Sequence, residues 1–231
     1  MRKFIDLHLR PGSSGKTMLQ EAVRLGYSCV GLTSENGDRG APSKKLDEDG
    51  MDVVRRIDLR PKNANELTSS LRRIRRRFEI IAVECHSKPV ARQAARDNRV
   101  DILNFPTQIQ SRRRVRFDRQ EASLASGANC AYEVNLSDLL NKGAHVAARL
   151  ISMMTVEVEN AVRHGVPVVV SSGANEPLLM RGPRELAASM QLLGIGEEES
   201  LDMVSDVPWS IVERNRGKLE PGYVSPGVRR L

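Results

Sequence analysis

What most constrains the fold of this chain is a repeated alternation. Seven short β-rich runs stand at FIDLHL (Phe4–Leu9), CVGLTS (Cys29–Ser34), VVRRIDL (Val53–Leu59), IIAVEC (Ile80–Cys85), DILNFP (Asp101–Pro106), CAYEVNL (Cys130–Leu136) and VPVVVSS (Val166–Ser172). Nearly all are followed by a helical pattern. In ANELTSSLRRIRRRF the residues Leu67, Leu71, Ile74 and Phe78 recur at spacings of four, three and four, which makes one buried stripe. Strand–helix alternation requires a parallel sheet covered by helices. Apolar runs such as VPVVV fit burial on both faces. Even spacing with no break in composition predicts an α/β fold of the TIM-like barrel type, with about seven parallel strands. Residues 1–220 form the expected single domain and 221–231 a C-terminal tail. The second unit is irregular, because the polar stretch ENGDRGAPSKKLDEDG replaces its helix.

Composition narrows the class. The 231 residues are 40% hydrophobic and 28% charged, which is globular. No run of about 18 apolar residues offers a membrane span, and the first residues lack the apolar block of a signal peptide. Three cysteines (Cys29, Cys85, Cys130) make no disulfide framework, so a reducing cytoplasm is the expected location.

Charge is the more informative property. The net charge is +7, and 28 of the 36 basic residues are Arg, the side chain suited to bidentate phosphate contact. Between Arg55 and Arg119 stand 18 Lys+Arg and 7 Asp+Glu, a net of +11, and the remainder carries −4. Arg72, Arg73, Arg75, Arg76 and Arg77 crowd the helix after the third strand. Arg112, Arg113, Arg114 and Arg116 lie in an expected loop, and Arg92 and Arg96 add a row at helical spacing. Like charges this close repel one another, and a merely solvated face would mix signs. These eleven arginines are therefore the candidate residues for binding a polyanion such as RNA. With only 3% aromatic residues, base stacking is not expected to dominate.

In such a barrel the functional groups sit at the C-terminal strand ends. Here those ends supply Asp6 and His8, Thr33 and Glu35, Asp58 and Arg60, Glu84 and His86, Asn104, Glu133 and Asn135, then Ser171, Ser172 and Asn175. Metal-binding barrels of the polymerase-and-histidinol-phosphatase type open with Asp-x-His-x-His. In DLHLR, Asp6 and His8 match, but Arg10 replaces the second histidine and puts a fixed positive charge where a cation would bind. The expectation is a satisfied hydrogen-bond network with no metal site and no catalytic residue. RPGSSGKT imitates a phosphate-binding loop, but Arg10 stands where the motif needs its first glycine. An ordinary turn with Gly12 and Gly15 is expected there.

Over FIDLHLRP, YEVNLSDLL, VVSSGANEPLLMRGPRELAASMQLLGI and VPWSIVERNRGKLEPGYVSPGV, the chain resembles the barrel-type protein subunit of archaeal and eukaryotic ribonuclease P. The resemblance implies a barrel related to the metal-dependent phosphoesterases (PHP-like) but lacking their metal cluster. It implies a ribonucleoprotein that removes the 5′ leader of precursor tRNA, in which the RNA subunit carries out Mg²⁺-dependent hydrolysis. This chain would bind no cofactor. Its partners would be the catalytic RNA, a small ferredoxin-like protein subunit and other RNase P proteins, with precursor tRNA as substrate of the complex. Two alternatives remain: a standalone metal-dependent phosphoesterase using His8, Glu84 and His86, and a barrel whose basic face is wholly a protein interface.

Overall fold

A computed structural model describes residues 2–34, 50–140, 142–225 and 228–229. Its core is a seven-stranded parallel sheet in sequential order: β1 (Ile5–Leu9), β2 (Cys29–Ser34), β3 (Asp52–Leu59), β4 (Ile80–Glu84), β5 (Ile102–Asn104), β6 (Ala131–Asn135) and β7 (Val168–Ser171). All seven expected strands are present, within two residues of their anticipated ends. Helices α1 (Gly15–Arg24), α2 (Ala64–Ile74), α3 (Lys88–Ala95), α4 (Ile109–Arg114), α5 (Arg119–Ala128), α6 (Ser137–Leu140) and α7 (Ala144–Arg163) cover the outside. Then come α8 (Pro183–Ser189), α9 (Glu197–Asp202) and α10 (Asp206–Leu219), and a small antiparallel pair, β8 (Tyr223–Ser225) and β9 (Val228–Arg229). The polar stretch after β2, including Glu35, lies outside the described residues.

Local chemistry accounts for the helix limits. Asn63 caps α2 by accepting from Glu66 N at 2.9 Å. Leu67, Leu71 and Ile74 then face the barrel. The sequence pattern carries α2 on to Phe78, but the helix ends at Ile74, and Arg76 and Arg77 occupy the following turn. That turn drops Phe78 into the core at 2% exposure. Asp118 and Glu121 form a reciprocal capping box at the start of α5. Asn129, at φ 55°, ends the helix in the left-handed region.

The sheet curls into a barrel that is nearly closed, since β1 and β7 share no ladder. Their seam is stitched by other means. Ile5 N donates to Val204 O at 2.9 Å and Val170 N to Met203 O at 3.0 Å, so the turn after α9 stands in for a missing strand. Higher up, the buried Asp6 carboxylate accepts from Ser172 N and His8 N, both at 3.1 Å. Arg10 N then reaches Ala174 O at 2.8 Å.

The interior has two levels. At the N-terminal strand ends, Ile5, Leu7, Cys29, Val54, Ile80, Ala82, Ile102, Ala131 and Val169 form an apolar layer. Helix α10 plugs it with Ile211 and Val212. Arg216 holds the plug through Asp52 at 2.7 and 2.8 Å and Glu79 at 2.6 Å. Above this layer the interior turns polar. The register of β1 shifts between Asp6 and Leu9, and the Leu7 carbonyl accepts from Arg56 Nη1 at 3.0 Å. Gly31 makes room for that carbonyl, because a Cβ there would sit 2.3 Å from Leu7 O.

Gly31→Ala should therefore force β1 and β2 apart and destabilise the chain by about 3 kcal/mol. Thermal unfolding followed by circular dichroism should show Tm lower by roughly 6–12 °C. An unchanged Tm would mean that this close approach is not required.

Candidate functional site

The polar level of the barrel is organised around Arg56, an Arg with no exposure in the centre of the fold. It stands two residues from both Val54 and Asp58 along β3 and so shares their inward face of the pleat. The guanidinium donates to both oxygens of Glu133 at 2.7 Å and to Asp58 Oδ1 at 2.7 Å. Glu133 also accepts from Ser171 Oγ at 2.8 Å and Asn104 Nδ2 at 2.9 Å, and Asn104 accepts from Asn135 Nδ2 at 3.1 Å. His8 completes the set. Its Nδ1 lies 2.8 Å from Asn135 Oδ1, and its Nε2 makes an ionic contact with Asp58 Oδ2 at 2.9 Å that falls short of hydrogen-bond alignment.

The titration directions follow from this packing. Burial alone would raise the Glu133 carboxyl, but Arg56 and then His8 outweigh burial and hold it well below its usual range. Asp58 is held down in the same way, against burial, by Arg56 and His8. Burial and the Arg56 charge push the His8 imidazole down, yet Asp58 and Glu133 prevail and raise it to about 9. Two cations and two carboxylates thus neutralise one another. Asp6, by contrast, is raised by burial despite its hydrogen bonds to Ser172 and His8.

Above the network a cavity of about 290 Å³ opens at the C-terminal strand ends, its lining including His8, Arg10, Arg60, Glu84, His86 and Asp138. Arg60 Nε donates to Glu84 Oε1 at 2.7 Å, and His86 Nε2 lies 3.1 Å from Glu84 Oε2. Arg10 donates to Gly173 O at 2.5 and 3.2 Å, closing the seam at the rim. The donor set does not fit a metal. Glu133 and Asp58 are engaged by Arg56, His8 is committed to Asp58 and Asn135, and no group of three metal-type ligands occurs among the described residues. Burial raises all three thiols, and none is placed as a nucleophile.

The candidate arginines divide when placed on the fold. Arg72 and Arg73 on α2, Arg76 after it, Arg96 just after α3, Arg113 and Arg114 on α4, and Arg116 beyond it are exposed, and Arg77 is half-exposed. Helices α2, α3 and α5 pack side by side, so Arg72, Arg73, Arg76, Arg77 and Arg96 share one flank of the barrel, whereas α4, with Arg113 and Arg114, packs against α7. Arg92 is exposed but lies 3.5 Å from Glu121. Arg75 is mostly covered and donates to Asp101 Oδ2 at 2.5 Å.

Arg112 is a correction. It is 2% exposed and donates to Glu157 at 2.6 and 3.2 Å and to Tyr132 Oη at 2.6 Å. Its segment is the short helix α4, not a loop, and Arg112 is the side chain by which that helix grips α7. An RNA phosphate could reach it only by leaving the Glu157 carboxylate buried without its partner. Arg56 was the opposite omission. Its signal was present in VVRRIDL, where a charged residue occupies the inward phase of a β-run.

The family model described as RNase P subunit p30 matches residues 3–219. The chain belongs to the RNase P subunit p30 family. Within it, the chain is 32% identical over 236 residues to Ribonuclease P protein component 3 of Methanosarcina mazei, covering 99% of this chain and 96% of the relative. It is 30% identical over 240 residues to the same component of Methanosarcina acetivorans, with the same coverage. A chain in a cryo-EM structure of archaeal ribonuclease P with mature tRNA superposes with a TM-score of 0.83 at 20% identity, covering 98% of this chain and 97% of that one. Histidinol phosphate phosphatase of Lactococcus lactis, solved with zinc, L-histidinol and phosphate, superposes at 0.51 with 10% identity over 83% of this chain and 93% of that one. This p30 family member therefore has the expected barrel, of the kind shared with that phosphatase, with Arg56 among its interior carboxylates. No helix of the described residues is long and apolar enough to cross a membrane.

Replacing Arg56 by Met should leave Glu133 and Asp58 facing only His8 and cost about 3–5 kcal/mol, seen as a lower urea midpoint; a midpoint equal to wild type would refute its central role. The raised His8 also makes stability depend on pH. Its contribution is fully present below the unfolded value near 6.5 and is lost as pH rises through about 9. Wild type should thus lose Tm steadily between about pH 6.5 and 9.5. His8→Gln should start lower and flatter, so that the two curves converge at high pH; parallel curves would show that His8 is not protonated in the fold.

Proposed function

We propose that this RNase P subunit binds the catalytic RNA of ribonuclease P and supports its active fold, with no active site of its own. The single observation carrying this reading is the contrast between two sets of arginines. Arg56 and Arg112 are buried and neutralised inside the protein. Arg72, Arg73 and Arg76 point outward from the flank built by α2, α3 and α5, and Arg113, Arg114 and Arg116 from α4 and the turn after it, with no ion pair among the described residues. Such exposed cations gain affinity by neutralising phosphates and releasing their counterions. They would lower the Mg²⁺ concentration the RNA needs to remain folded. In this reading Mg²⁺ is held by the RNA, and precursor tRNA is cleaved at its 5′ leader by RNA-borne chemistry.

A small ferredoxin-like subunit and other RNase P proteins are the further partners proposed, and the cytoplasm the location. The standalone phosphoesterase alternative has little support, because His8 is committed to Asn135 and Asp58 and Glu84 is engaged by Arg60. The test is the quadruple variant R72A/R73A/R113A/R114A, assayed with the cognate RNA. The slope of log affinity against log salt should become shallower by about 3. Reconstituted precursor-tRNA cleavage should also need more Mg²⁺. Affinity and slope equal to wild type would remove these arginines from the RNA interface.

A further inference from the structure

At the end of the barrel opposite the mouth, a groove of about 660 Å³ runs between the C-terminal end of α2, the turn before β5 and the end of α10, its lining including Arg75, Arg76, Asn98, Arg99, Lys218 and Tyr223. We propose that this groove binds a single-stranded segment of RNA, with one base stacked on Tyr223 and the flanking phosphates held by Arg76 and Lys218. The inference rests on the RNA-binding reading above and deepens it, by adding a stacking site to a surface otherwise made of charge.

Two of the cations are fixed as walls. Arg75 donates to Asp101 Oδ2 at 2.5 Å and to Arg99 O at 3.2 Å, and Arg99 is clamped by Asp97 at 2.6 and 2.8 Å. The other two are available. Arg76 is exposed with no ion pair among the described residues, and Lys218 is half-buried with no carboxylate within salt-bridge distance among them. Burial first, then the charge of Arg214, lower the Lys218 ammonium; Asp101 partly opposes them, and Arg75 adds to the lowering. A bound anion would relieve that repulsion. Glu220 also lines the groove but is itself engaged.

Tyr223 distinguishes RNA from other anions. The other two tyrosines, Tyr27 and Tyr132, are buried at 5% and 0% exposure, so Tyr223 is the accessible one. An accessible ring beside unpaired cations is the arrangement by which single strands are bound, since every base has a face to stack. The volume lies within the range of about 300–1,000 Å³ typical of small-ligand sites, and the groove adjoins the flank that carries Arg72, Arg73 and Arg96.

The test uses the full chain, a fluorescein-labelled oligouridylate of about ten nucleotides, and an RNA duplex of the same length, measured by anisotropy. Tyr223→Leu should weaken single-strand binding about tenfold and leave duplex binding and the salt slope unchanged, while Tyr223→Phe should bind as wild type. Lys218→Gln should make the single-strand slope shallower by about 0.7. If Tyr223→Leu binds the single strand as wild type while R72A/R73A/R113A/R114A loses affinity, the groove is not a stacking site and the RNA-support reading stands. That pattern is also the one expected if an acidic protein fills the groove. If wild type binds neither RNA, both proposals fall.

Discussion

The buried pair between Arg56 and Glu133 is the interaction on which the rest of the barrel interior depends. A parallel barrel of seven strands has more interior than its short apolar side chains fill, and here the upper half is filled by charge. Charge can be buried only when it is paired and fully hydrogen-bonded, and that requirement places every neighbour. Asp58 takes the third guanidinium contact and Leu7 O the fourth. Ser171 and Asn104 satisfy the remaining positions on Glu133, and His8 balances the second carboxylate. The bare backbone at Gly31 follows from the same demand, because Arg56 must reach across β2 to a carbonyl on β1.

The same pairing bears on function. Barrels of this kind carry their chemistry at the C-terminal strand ends, and this chain retains histidines and carboxylates there. A guanidinium in their midst turns a potential ligand set into a neutral, closed network. Further positive charge is displayed on the outer helices. Solvated arginines without counterions are a standing electrostatic cost to an isolated protein, and a polyanion removes that cost.

Much of this was legible in the residues. The seven strands followed from periodicity and spacing, and so did the polar ring at their C-terminal ends. The arginine clusters were equally visible, but their division was not. Arg112 and Arg113 are neighbours of the same type, and only the phase of a six-residue helix sends one to Glu157 and the other to solvent. Arg75 and Arg76 part in the same way at the end of α2. Helix α2 itself stopped one turn early, where Arg75, Arg76 and Arg77 crowd like charges together.

The sequence by itself determined the class of fold, the sector that carries the charge and the family, because strand–helix alternation, charge spacing and long ordered matches are properties of the linear chain. Tertiary structure alone decided which arginines are free, that Arg56 sits at the heart of the barrel, and that Lys218 and Tyr223 meet Arg76 and Arg99 in one groove. Those outcomes bring together residues up to 147 positions apart, from Arg76 to Tyr223. No local pattern encodes such contacts; they follow only once the sheet has closed and α10 has been drawn back across its base.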